Sequence, residues 1–165
     1  MDNRSAHYAF LHLDGIEGSA TDSEYEKHLP IHHASWGVVN HGNFGHGTGG
    51  STHRGQISEL TISKVMCKAT PTLFQHCTTG KHIAEGTLHL TWQSGDTKKS
   101  YLTKKMKHIL VTSHQISASG DAQHPIESLT LQFVEMEKTY IPQDNEGSAG
   151  GGVRFGYNLQ KQQTT

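Results

Sequence analysis

Apolar and polar residues alternate along much of this chain. Leu88, Leu90 and Trp92 are separated by His89 and Thr91, and Val153, Phe155, Tyr157 and Leu159 by Arg154, Gly156 and Asn158. Leu60 and Ile62 frame Thr61, while Leu129, Leu131 and Phe133 frame Thr130 and Gln132. A period of two puts one set of side chains on a buried face and the other in water, which is the pattern of β-strands. The threonines of the wet face suit a pleated surface better than a helix. The alternation predicts strands over 7–16, 31–39, 56–66, 84–94, 98–117, 125–141 and 152–159. Within 125–141 the apolar parity switches from Leu129/Leu131/Phe133 to Val134/Met136, which predicts a bulge or a bend of the kind found at a barrel corner.

One helix interrupts this pattern, over about 71–79. Thr70 is placed to cap it, Pro71 suits its first position, and Gly80 supplies a left-handed stop. Leu73, Phe74 and Cys77 fall on its expected buried face, with His76 one residue off it. Residues 40–55, rich in glycine and histidine, and 143–152 carry no apolar period and read as connections. The polar tail 160–165 is expected to fray. Many strands, one short helix and glycine-bearing connections imply a mainly β fold, a small barrel or sandwich, in one domain over 1–165.

Composition narrows the function. Fourteen Lys and Arg against fifteen Asp and Glu leave a net charge of −1, without the basic excess of a nucleic-acid binder. No apolar run approaches the ~20 residues of a membrane span. Met1 to Ser5 opens no signal peptide, so synthesis in the cytoplasm and export by another route are expected. Cys67 and Cys77 are no disulfide framework and read as reduced, mostly buried thiols.

The search for reaction chemistry finds little. Gly45, Gly47 and Gly50 satisfy G-x-G-x-x-G, yet a strand follows where a dinucleotide site needs a helix. Gly80-Lys81 resembles the end of a phosphate loop, but Gln75 stands where glycine is required. His32, His33, His41, His46 and His53 lack the spacing of a metal site and read as neutral surface residues. There is no G-x-S-x-G, and Glu135 and Glu137 read as a solvated strand face. Lys98, Lys99, Lys104, Lys105 and Lys107 form the one basic cluster. They could contact phosphate, guard strand edges or face a partner subunit. No catalytic residue, cofactor or metal ligand emerges, so a binding or assembly role is expected, not an enzyme.

Several segments resemble the Hcp (hemolysin-coregulated protein) family of type VI secretion systems. Ala69 to His82, with Thr70-Pro71 at its start and Gly80-Lys81-His82 at its end, is similar to the family's helix segment. Ser35-Trp36-Gly37 resembles its Ser-Trp-Gly strand, Phe155-Gly156-Tyr157-Asn158-Leu159 its closing strand, and Tyr8 to Gly15 its opening strand. The resemblance runs through nearly the whole chain in order and spacing. It implies a two-sheet β-barrel with one flanking helix, forming homohexameric rings that stack into the inner tube. The implied partners are other copies, a VgrG-type spike protein, a contractile sheath and small effector cargo, with neither nucleic acid nor membrane among them. It also implies that 40–55 reaches toward the neighbouring ring, which makes His41, Phe44, His46, His53 and Arg54 candidate stacking residues. Ser35 becomes a candidate lumen and cargo contact. A phage-type tail-tube subunit and a small-ligand-binding barrel stay open as alternatives, as does a metal-dependent enzyme using the histidine loop. Fourteen histidines titrating together near pH 6.5 would carry the formal charge from −1 to about +13, so assembly through histidine-bearing surfaces is expected to weaken in acid.

Overall fold

A computed structural model describes residues 8–42, 53–121, 123–142 and 150–165. Among the described residues, twelve strands and one helix follow in the order β1 (Ala9–Leu13), β2 (Leu29–Ile31), β3 (His33–Ser35), β4 (Val38–Val39), β5 (Gln56–Ile57), β6 (Leu60–Val65), α1 (Thr70–Thr79), β7 (Ile83–Ser94), β8 (Thr97–Ser117), β9 (Ile126–Gln132), β10 (Glu135–Tyr140), β11 (Val153–Asn158) and β12 (Gln163–Thr164). All pairings are antiparallel.

The 21-residue strand β8 organises the two sheets. Its first half lies between β7 and β10, in a sheet ordered β12-β11-β10-β8-β7-β1-β2. Its second half pairs with β9, which leads to β6 and then β3. The register explains the turn between sheets. Leu110 faces Gln132 and Lys107 faces Glu135, so β9 and β10 follow one edge of β8 with a break only at Phe133-Val134. Opposite that break His108 takes a left-handed backbone, φ 54°. The switch of parity in the sequence is therefore the place where a long β-ribbon bends from one sheet into the other. Ile31 ends β2 and His33 begins β3, so a second crossing between the sheets takes a single residue.

The core fills the space between these sheets. Leu11, Leu13, Leu29, Leu88 and Met106 come from one, Leu60, Ile62, Val111, Leu129 and Leu131 from the other, and Leu73 from α1. Burial alternates strictly along β6 and β9, as the period of two requires.

Some elements depart from expectation. The predicted strand 31–39 is cut at Trp36-Gly37 and 56–66 at Ser58-Glu59, because the middle of this stretch leaves the main sheets as a separate β4–β5 hairpin. The tail does not fray: Gln163 and Thr164 pair with β11, and the Thr165 amide donates to the Gly156 carbonyl at 3.0 Å. Gly156 has no room for a side chain, since a Cβ there would lie 2.4 Å from Thr165 Oγ1. In α1 Leu73 is buried and Cys77 packs against the core as expected, but Phe74 and His76 exchange roles. His76 is buried and donates through Nδ1 to the Thr72 carbonyl at 2.8 Å, while Phe74 is 53% exposed. The stripe Thr70, Leu73, His76 follows a spacing of three, which fits a short helix lying across a sheet. Thr70 is the first helical residue and not the cap; its hydroxyl accepts the Cys67 amide at 3.1 Å. Gly80 does end the helix, at φ 68°.

The basic cluster is not a fringe of edge lysines. β8 is central, and Lys104 within it is wholly buried. Lys98 pairs with Asp22 at 2.5 Å and sits over the Phe10 ring. Both cysteines are free and half-buried.

Candidate functional site

Of the residues singled out by sequence, Ser35, His41, His53 and Arg54 fall on one ribbon. β3 carries Ser35, exposed beside its partner Thr61, and runs through Trp36 and Gly37 into β4. Trp36 packs against the core and anchors the ribbon's root. Ser58 clamps that root: its hydroxyl accepts the Gly37 amide at 2.7 Å, and the Ser58 amide and hydroxyl donate to the Gly37 carbonyl at 2.8 and 3.0 Å. Beyond the clamp Val38 faces Ile57 and Val39 faces Gln56. Asn40 ties the strands further out, its Nδ2 donating to the His53 carbonyl at 2.5 Å. Gly55 lets the strands close, since a Cβ there would lie 2.9 Å from Val38 Cγ2.

His41, His53 and Arg54 are exposed on this hairpin, with Arg54 hydrogen-bonded to Gln162 of the tail. Phe44 and His46 lie outside the described residues. Val38 and Val39 are 64% and 56% exposed, unusual for paired valines. Val153 and Phe155 on β11 and Tyr140 on β10 are exposed too. Val38 and Phe155 line the same depression. A different apolar surface lies at the helix, where Met66, Pro71, Phe74 and Ile116 line a hollow of about 520 Å³. The fold therefore offers two apolar surfaces built from different residues, which is what a head-to-tail contact between copies requires.

Three further histidines are covered and do not lie free at the surface. His76 and His114 are buried, and His89 is half-buried in a group with Tyr25, His28 and His12. Burial, then the neighbouring His28, His12 and Lys105, push the His89 imidazole down to about 4. The fourteen histidines therefore do not charge together. Among the described residues no three His, Cys, Asp or Glu side chains come together to hold a metal.

Sequence reasoning also missed a buried ionic cluster. Lys64 on β6 and Glu127 on β9 are register partners that form an ion pair with no exposure. Lys64 also donates to the Val65 carbonyl at 2.8 Å and reaches Cys67 Sγ at 3.2 Å. The second oxygen of Glu127 meets His114 Nε2 at 3.0 Å. Burial pushes the Glu127 carboxyl up, but the hydrogen bonds from Lys64 and His114 outweigh it and leave the group below its ordinary value. The signal was available: Leu60-Ile62-Lys64 and Glu127-Leu129-Leu131 each hold a charge in phase with the apolar face.

An antiparallel two-sheet protein with a shared bent ribbon, one helix and a projecting hairpin defines a class of small β proteins with surfaces left for assembly. Comparison with known proteins names the group within it. Residues 10–140 match the profile of the family described as "Type VI secretion system effector, Hcp", and the chain belongs to that family. It is 31% identical over 106 residues to protein hcp1 of Pseudomonas aeruginosa, a match spanning 64% of this chain and 65% of that curated relative. A solved structure of a type six secretion system protein superposes with a TM-score of 0.89 at 29% identity, over 95% of this chain and 98% of the other. A type VI secretion system effector from Yersinia pestis gives a TM-score of 0.73 at 25% identity, over 91% and 98%.

Proposed function

We propose that this chain is a structural subunit of a type VI secretion inner tube. Copies associate head to tail into hexameric rings, and the rings stack. The tube leaves the cell beneath a VgrG-type spike, driven by a contractile sheath, and its lumen carries small effectors. The subunit acts through its surfaces and not as an enzyme, and the whole chain works as one domain. Family membership carries this reading. Exposed apolar residues in two places, Phe74 at the helix and Val39, Tyr140 and Val153 outside the depression, support it, because a ring closes only through two complementary patches on each copy. The hairpin carrying His41, His53 and Arg54, with the adjoining Phe44 and His46, is proposed to contact the next ring. Ser35, exposed on the strand that feeds the hairpin, is proposed to face the lumen.

Light scattering after size exclusion tests the assembly. The expected mass at neutral pH is about six times 18.1 kDa. A chain that stays monomeric at high concentration overturns the ring. Secretion is tested in cells with and without a working sheath; release that does not depend on the sheath overturns the tube role.

A further inference from the structure

The depression between the hairpin and the β10–β12 edge is a cavity of about 830 Å³, within the range of small-molecule sites. Its walls are apolar and aromatic, from Trp36, Val38, Met136, Phe155 and Tyr157. Its charged lining is of one sign. Lys104, Lys138 and Arg54 contribute, and among the described residues no Asp or Glu lines it. The arrangement follows from register: Lys104 on β8 faces Lys138 on β10, so both project from the same side of the sheet, with Met136 and Phe155 beside them.

Lys104 is the unusual member. Its side chain is wholly buried, yet among the described residues no carboxylate lies within ion-pair distance of it. Its ammonium reaches Met136 Sδ at 3.2 Å and lies 4.7 and 5.7 Å from the ring centres of Phe133 and Trp36. Sulfur and π-faces are weak partners for a cation taken out of water. Lys64, the other fully buried lysine, has a carboxylate. A cation left without one beneath an apolar cavity has its charge only partly compensated.

We propose that this cavity binds a small amphipathic carboxylate, its carboxyl group on Lys138 and in the field of the buried Lys104 ammonium beneath it, and its apolar body against Trp36, Met136, Phe155 and Tyr157. The acid binds in its ionised form, and no bond is made or broken. Burial, then the nearby Lys138 charge, lowers the Lys104 amine to about 8, so it is still mainly protonated at neutral pH. Arg54 on the rim, already tied to Gln162, adds positive potential at the mouth.

The test uses the full chain in its native assembly at pH 7, with Trp36 fluorescence and calorimetry as readouts. Dodecanoate and 2-naphthoate serve as aliphatic and aromatic probes, below any micelle concentration. Dodecanol and dodecyltrimethylammonium, or 2-naphthol for the aromatic probe, replace the carboxylate by a neutral or opposite charge. At least one carboxylate is expected to bind with a dissociation constant on the order of 10 μM, and its neutral and cationic analogues at least tenfold more weakly. Lys104→Met is expected to erase that selectivity while keeping or raising the melting temperature. Should Lys104→Met fail to fold, Lys138→Met gives the same readout as a several-fold loss. Trp36→Phe is expected to silence the fluorescence change but not the heat. Failure of both carboxylates to bind overturns the proposal. So does equal binding of the uncharged analogues, or unchanged binding by the lysine variants.

Discussion

Two lysines are buried almost completely in this protein, and their surroundings differ. Lys64, at the end of the β6–β9 ladder, meets a carboxylate, a backbone carbonyl and a thiol, and its carboxylate partner meets His114. Lys104, on the other sheet, meets a thioether and two aromatic rings beside an open cavity. In the first, each charge compensates another. The second is a cation whose compensation is partial. A buried charge is expensive unless paired, so the first environment is structural, and the second keeps a charge free to meet a partner from outside.

The largest way to break this contrast is to remove the partner of Lys64. Glu127→Leu leaves an uncompensated ammonium in the core and is expected to cost about 3–5 kcal/mol, read as a drop in the urea midpoint. Next in size, Lys104→Met removes an ammonium with no anion to lose and is expected to stabilise the fold by about 1–2 kcal/mol at pH 7. A fall in stability there would show that the rings and sulfur satisfy Lys104 as fully as Glu127 satisfies Lys64.

The pH profile separates the two sites by sign. Glu127 has a lowered pKa in the fold, so its contribution is present above about 4.5 and is lost as the pH falls below it. Lys104 has a folded value of about 8 against 10.5 unfolded. The unfolded chain binds the extra proton between those values, so stability rises with pH from about 8 to 10.5, and Lys104→Met abolishes that rise. His89 adds an acid limb of its own. At about 4 against 6.5 unfolded, its contribution is present above pH 6.5 and fades as the pH falls to about 4; denaturation of His89→Leu across that interval is expected to show a shallower slope. The smallest effect is expected at the surface. Lys68→Ala breaks an exposed contact with Glu17, and a thermal melt is expected to show no resolvable change, because water already screens that pair.

The strands were legible because alternation is a local property. β6, β7, β9 and β11 need only their own residues to declare a buried and a wet face, and the corner at Phe133-Val134 announced itself as a change of parity. The helix stop was legible at Gly80 for a similar reason, since few other residues accept that backbone. The short strand β12 was not, because Gln163 and Thr164 carry no pattern and are ordered only by the edge of β11. Nor was all of the buried face of α1, though Leu73 was: a ten-residue helix turns its side chains only a few times, and the surface it lands on decides whether Phe74 or His76 is covered. The hairpin residues of the candidate contact surface were found as a break in the pattern, while the cavity was not found at all. Its walls come from the β3–β5 stretch, β8 and β10–β12, and bring together residues as far apart in the chain as Trp36 and Thr164.

The chain on its own determined the repertoire: amphipathic strands, one short helix, a long glycine-rich connection and no nucleophile or metal signature. Those follow from residue order over a few positions, which no distant contact can change. The tertiary structure alone decided the fate of the charges. Lys64 and Lys104 look alike in sequence, each one step in phase with apolar neighbours. Register across the sheets gave one a carboxylate and set the other against a second lysine and an open, apolar space.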